Sequence, residues 1–135
     1  MYSSSIMKNI LRCILLLMLV GCKTQTATLT NIEWKLIKMN GDDLSAMNPP
    51  VTLSLDENQK KVNGYAGCNR FFGAYGSGDS SIKFTGLGST KMFCQDKMKV
   101  EDAYFKALSE IQSFKTEGGK LYLISGSNVI LEFTK

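Results

Sequence analysis

The sequence predicts a mainly β (α+β) fold: a small, curved antiparallel sheet, barrel-like, with one packed α-helix. Three observations predict it. Short runs of alternating apolar and polar residues recur between turn-forming clusters from Trp34 to Phe133. One stretch, Lys97–Ser113, switches to the helical period. Between Val62 and Cys94, Gly64, Gly67, Gly73, Gly76, Gly78, Gly86 and Gly88 crowd among aromatics. Glycine at this density inside strands goes with bulges, curvature and close backbone approach. A sheet that curls hard tends towards a barrel, which also removes exposed edges.

The elements follow in order. Trp34–Met39 reads as a strand and Asn40-Gly41 as the turn that ends it. Val51, Leu53 and Leu55 alternate with Thr52 and Ser54, the pattern of a half-buried strand. Asp56-Glu57-Asn58-Gln59 makes a polar turn, and Lys61–Ala66 leads away from it. Phe71–Tyr75 and Ile82–Phe84 flank Gly76-Ser77-Gly78-Asp79 as a hairpin, and Gly86–Phe93 is a further strand candidate. In Lys97–Ser113, Val100, Ala103, Tyr104, Ala107, Leu108 and Ile111 fall within about 140° of arc at 100° per residue. Gln95 or Asp96 is positioned to start this helix, and Gly118-Gly119 lies beyond its end. Lys120–Ile124 and Val129–Phe133 form the closing hairpin around Ser125-Gly126-Ser127-Asn128.

The N-terminus reads as a targeting segment. Lys8 and Arg12 precede the uncharged apolar run Cys13–Gly21. As a helix that run spans roughly 13 Å, under half of a ~30 Å hydrocarbon layer, so it fits a signal better than a membrane span. Met7-Lys8-Asn9 opens a signal as well as Met1 does. The run ends in Leu19-Val20-Gly21-Cys22, which resembles the bacterial lipobox. That resemblance implies a lipid on Cys22 and cleavage before it. Residues 1–21 are then a removed signal peptide, 22–32 a lipidated Thr-rich tether and 33–135 the folded domain. Lys23, standing where Asp would signal inner-membrane retention, makes the periplasm-facing outer membrane the default address.

Composition excludes much chemistry. The 135 residues contain no histidine, which removes Ser-His-Asp and Cys-His nucleophiles, His-ligated metals and histidine pH switches. Taking Lys8 and Arg12 from the sixteen basic residues leaves fourteen against twelve acids, which is no nucleic-acid footprint. Gly73–Gly78 has the wrong spacing for a phosphate loop, and no helix follows it. Asp42-Asp43 reads as a solvated turn rather than a cation site. Glu101 and Asp102 diverge by about 100° on a helix and read as first-turn acids that complement its dipole. No catalytic residue, metal ligand or cofactor site is expected.

The densest constellation carries a family resemblance. Trp34-Lys35-Leu36, then Gly64 through Gly67-Cys68-Asn69-Arg70-Phe71-Phe72-Gly73-Ala74-Tyr75, then Ser89-Thr90-Lys91-Met92-Phe93-Cys94 and the helix bearing Glu101 resemble the META domain, in its HslJ-like form. Phe93-Cys94-Gln95 departs from the family's usual Ala-Cys-Pro. The resemblance implies the curved β-structure with one helix already read above, and an association with heat shock, envelope stress and drug tolerance; it implies no reaction. Trp34, Gly64, Gly67, Asn69, Phe71, Gly73, Tyr75, Thr90 and Met92 are its motif positions. Cys68 and Cys94 lie in its motif blocks and remain the free thiols once Cys13 is cleaved and Cys22 acylated. They either form a disulfide or pack as two separate buried thiols.

Asn69 and Arg70 also carry two readings. Either Asn69 satisfies backbone groups at a glycine-flanked bend while Arg70 is partly exposed, or the pair recognises a partner. The expected function is a lipid-anchored, non-catalytic envelope protein that binds or stabilises something under stress, with another envelope protein as the partner. The alternative is a small-molecule binding β-barrel with an apolar interior. Membrane contact is through Cys22, and no nucleic acid is expected.

Overall fold

Asn40 and Gly41 both take positive φ, 51° and 89°, and fold the chain back on itself after its first strand. That strand, β1 (Glu33–Met39), pairs with the two-residue β2 (Asp42–Asp43) and opens a fold described here by a computed structural model over residues 28–135. The expected signal segment 1–21, Cys22 and the expected tether up to residue 27 lie outside the described residues. β3 (Thr52–Asp56), β4 (Lys61–Tyr65), β5 (Arg70–Ser77) and β6 (Ile82–Ser89) follow as antiparallel neighbours. After them come α1 (Met98–Glu110), β7 (Ser113–Glu117), β8 (Lys120–Ser125) and β9 (Asn128–Thr134).

The strands form one sheet in the order β6-β5-β4-β3-β1-β9-β8-β7, with β2 attached to β1. Every pairing is antiparallel. Register shifts at Leu36/Lys38, Phe72/Ala74 and Leu123/Ile124 add twist to strands that already twist right-handedly. The sheet curls until its edges meet at one corner. There Ser81 bridges Ser113, the Phe114 N–H donates to the Ser80 carbonyl (2.9 Å) and the Ile82 N–H to the Gln112 carbonyl (3.1 Å). Beyond that corner β6 and β7 are not paired, so the structure is barrel-like without a continuous closed ladder.

The inner face carries the hydrophobic core. Trp34, Leu36, Leu53, Leu55, Val62, Phe71, Leu121, Leu123, Leu131 and Phe133 alternate inward along their strands, and α1 lays Tyr104, Ala107 and Leu108 against them. Each large side chain so buried contributes roughly 1.5–3 kcal/mol. Phe71 meets Tyr104 and Phe105 edge-on, at 5.6 and 5.8 Å between ring centres. The buried Trp34 indole donates to the Leu29 carbonyl (3.0 Å), and Leu29 is itself in the core. Packing therefore begins ahead of β1.

Four local expectations change. Asp42 and Asp43 are an exposed strand rung against Lys38 and Met39, because the Asn40-Gly41 turn is tight enough to start pairing at once. Gly86–Ser89 is no separate strand but the second half of β6, which carries on past a kink at Gly86 (φ 59°). The helix starts at Met98 after a turn in which the Cys94 carbonyl accepts the Lys97 and Met98 N–H groups (3.0 and 3.1 Å). It stops at Glu110, and Ser113–Glu117 is a strand, paired to β8 across Gly118-Gly119. The glycine pair is a hairpin turn, with φ of 57° and 75°, and not a helix terminus.

Candidate functional site

The conformation of the motif region starts with two glycines. An added Cβ on Gly64 would run into the Thr52 carbonyl oxygen and come within 2.8 Å of the Phe71 ring, so the position tolerates no side chain. Gly67, at φ 115°, turns the chain between β4 and β5, and the Ala66 N–H donates to the Asn69 carbonyl (2.8 Å) across the bend. The bend points the Cys68 and Asn69 N–H groups inward, away from the sheet ladder.

Glu101 receives them. This residue of the first turn of α1 is 3% exposed. Its Oε2 accepts the Cys68 N–H (3.1 Å) and the Asn69 N–H (2.6 Å), and its Oε1 accepts from Asn69 Nδ2 (2.8 Å). Asn69, 2% exposed, then reaches the next segment. Nδ2 also donates to the Met92 carbonyl (3.0 Å), while Oδ1 accepts the Thr90 hydroxyl (2.9 Å) and the Met92 N–H (2.8 Å). The amide thus uses both hydrogens and both lone pairs. A disulfide joins Cys68 to Cys94, with Cα atoms 5.8 Å apart. Of the two readings of these thiols, the bridge is the one found. Three pieces of chain, the Gly67–Arg70 bend, Thr90–Cys94 and the start of α1, are locked into one corner.

The other motif residues are structural neighbours of this corner. Trp34 and Phe71 are core, Tyr75 is buried with its hydroxyl donating to the Asp56 carbonyl (3.4 Å), and Gly73 sits at the β5–β6 bulge. Thr90 and Met92 hang from Asn69. Arg70, next to Asn69, points to the opposite face and is exposed. Among the two members of the pair, only Arg70 offers its side chain to solvent.

Sequence reasoning missed Glu101. It reads as an ordinary helix-dipole acid, and its neighbour Asp102, which is exposed, fits that description. Residue type does not separate the two, because a first-turn carboxylate looks the same whether it faces water or a bend thirty-odd residues earlier in the chain. The helical arc held the signal, since Glu101 borders the Tyr104–Leu108 face.

An open groove of about 600 Å³ lies on the outer side of the corner. Pro49, Pro50, Tyr65, Arg70, Thr90 and Met92 line it, and Glu33 stands at its β1 wall. Thr52, on its floor, is buried although it faces outward; its Oγ1 accepts the Tyr65 N–H (3.1 Å) in place of a ladder bond. Met92 in its lining is 60% exposed, and Phe93, the next residue along the chain, is 81% exposed. A second open groove, about 530 Å³, sits at the sheet seam between Ile82, Lys83, Ser109 and Gln112, and none of the motif residues reaches it. Among the described residues, no three His, Cys, Asp or Glu side chains gather as metal ligands.

Fold and corner together define a class: a small curled antiparallel β-sheet protein, its one helix tied to a disulfide-bonded bend by a buried carboxylate. The chain belongs to the META domain family, whose model matches residues 27–135. It is similar in structure to a protein from Burkholderia xenovorans solved by NMR, with a TM-score of 0.61, 26% identity, and 78% of this chain and 82% of that one covered. A second protein solved by NMR is similar in fold, with a TM-score of 0.59 and 21% identity over 76% of this chain and 86% of that one. No curated relative matches the chain.

Proposed function

We propose that this protein is a lipid-anchored, non-catalytic component of the cell envelope, held through Cys22, that binds or stabilises another envelope protein during stress or drug exposure. The observation that carries the reading is where free space lies. Trp34, Tyr104, Phe71 and Phe133 occupy the interior, whereas an open groove lies on the outer face with the motif positions Thr90 and Met92 and the adjacent Arg70 in its wall. A surface of that kind suits contact with another macromolecule better than enclosure of a ligand. Family membership supports the envelope setting, and the bridged Cys68–Cys94 pair is what an oxidising compartment favours.

The test is rescue of a stress or drug-tolerance defect in a strain lacking the protein. Phe93→Ser should lose rescue while melting like the wild type, since Phe93 is exposed. Full rescue by Phe93→Ser together with Met92→Ser would refute the groove as the working surface. A small-molecule reading keeps one specific support, because about 600 Å³ falls within the range of drug-sized sites. In that case an amphipathic compound, and no protein, would protect the exposed Met92 from oxidation.

A further inference from the structure

We propose that the outer groove and its rim bind an extended polypeptide segment that alternates acidic and apolar residues. The inference rests on the protein-binding reading and adds the chemistry of the partner. The apolar half comes from Phe93 and Met92. Large apolar side chains exposed side by side have no folding reason to be there. Their backbone is nevertheless held rigid, since Asn69 binds both the N–H and the carbonyl of Met92 and the disulfide fixes Cys94 on the other side of Phe93. An exposed aromatic on an immobilised loop loses little entropy on binding, which is the condition for an interface anchor. Pro49, Pro50 and Tyr65 continue the apolar surface along the groove.

The acidic half comes from charge. Arg70 lines the groove, Lys91 flanks Met92, and Lys97 reaches across to the Asn48 carbonyl beside Pro49 (Nζ to O, 3.4 Å). The ion pairs among the described residues lie elsewhere, at Lys115–Glu117 and Lys120–Glu132, so none of these three cations is neutralised by a bridge. The exposed carboxylates nearby are Glu33 and Asp96, while Glu101 lies buried beneath the same corner with its oxygens held by Cys68 and Asn69. Glu33 stands on β1, three strands along the curled sheet from Arg70, and lines the same groove, and Asp96 lies in the turn before α1. Outside the buried Glu101, three cations stand against two carboxylates around this rim.

Position favours a polypeptide over the lipid surface that would hold Cys22. The chain enters at the Leu55–Glu57 end of the sheet, where the Asn31 N–H donates to the Leu55 carbonyl and Thr30 Oγ1 to Glu57 Oε2 (3.1 and 3.3 Å). Arg70, Thr90 and Met92 stand at the other end of those strands, beside Thr52 and Tyr65. Apart from Glu33 at the start of β1, the groove residues Arg70, Thr90 and Met92 therefore lie away from where the chain enters the sheet.

The experiment is a fluorescence-anisotropy titration of the full chain in dodecyl maltoside with three labelled nonapeptides. One alternates Glu or Asp with Phe or Leu, one replaces the acids by Lys, and one replaces the apolar residues by Ser. The first should bind at least tenfold more tightly than either other, and more weakly as salt rises. Arg70→Glu and Phe93→Ser should each weaken it about tenfold, and Lys106→Glu, on the exposed face of α1, should leave it unchanged. Equal or tighter binding of the Lys peptide, insensitivity to both groove variants, or displacement of the peptide by micelles doped with phosphatidylglycerol would each overturn the proposal. If the acidic peptide fails while Phe93→Ser still abolishes rescue in cells, the partner chemistry is wrong and the protein-binding reading stands. If rescue survives as well, both fall.

Discussion

Asn69 and Arg70 are adjacent in sequence and opposite in placement, one buried and one exposed. Every hydrogen-bonding group of the Asn69 amide has a partner inside the corner, so Asn69→Ala should cost on the order of 1–3 kcal/mol. Arg70→Ala should cost under about 0.5 kcal/mol, as surface changes do. Denaturant titration of the two variants side by side checks both; an Asn69→Ala midpoint equal to wild type would show that the corner does not depend on it. Glu101 and Asp102 make a second contrast. Glu101→Ala strips the partner from two backbone N–H groups and the Asn69 amide and should cost about 3 kcal/mol, while Asp102→Ala should fall within about 0.5 kcal/mol. Tyr104 adds a dependence on pH. Burial pushes its phenol well above the ordinary value of 10.0, so the folded state keeps a proton that the unfolded chain releases. Its contribution is complete below pH 10 and lost as pH rises further. Tyr104→Phe should therefore show a shallower fall in stability between about pH 10 and 12, measured as urea midpoints across that range; an unchanged slope would argue against a buried phenol.

At the scale of elements, α1 and the Thr90–Cys94 segment are held to the sheet by the disulfide as well as by packing. The bridge closes a sequence separation of 26, which on chain-entropy grounds stabilises the fold by roughly 3.5 kcal/mol. Unreduced, denatured protein should show no reactive thiol at Cys68 or Cys94, and reduction should lower the unfolding midpoint by an amount of that order. Two titrating thiols would remove the bridge from the account. The strand β7 shows what short-range pattern reading misses. Gly118-Gly119 between Ser113–Glu117 and Lys120–Ser125 is a two-residue hairpin signal, yet the helical period of Val100–Ile111 leads straight into it and hides the change of period. β6 has the opposite problem, since glycines that mark a strand end elsewhere here mark a kink within one strand.

For the whole molecule, the proposed anchor is the part to test first. Cys22→Ser should leave the precursor with its signal segment attached and block lipid labelling, read by intact mass and by incorporation of a labelled fatty acid. A mutant of normal mature mass that still takes up label would end the lipoprotein reading. The sheet, the helix and the corner form one packed unit in which the edges of the sheet meet only at Ser81–Ser113. Both edges are otherwise made unattractive to another strand, β6 by its kink at Gly86 and β7 by its length and its Lys115–Glu117 pair.

What the sequence determined by itself is whatever depends on neighbours along the chain. Alternation placed β1, β3, β8 and β9, the helical arc placed α1, and the glycine-rich segment between Val62 and Cys94 announced a strongly curved sheet. The lack of histidine and the motif blocks were equally plain. Tertiary structure decided everything that joins residues far apart. It chose the bridge over two free thiols and buried Asn69 while exposing Arg70. It also brought Glu101 under a bend more than thirty residues earlier in the chain. The reason is physical. A carboxylate, an amide or a thiol carries no local mark of its partner, and only folding sets which donors are left without water for it to satisfy.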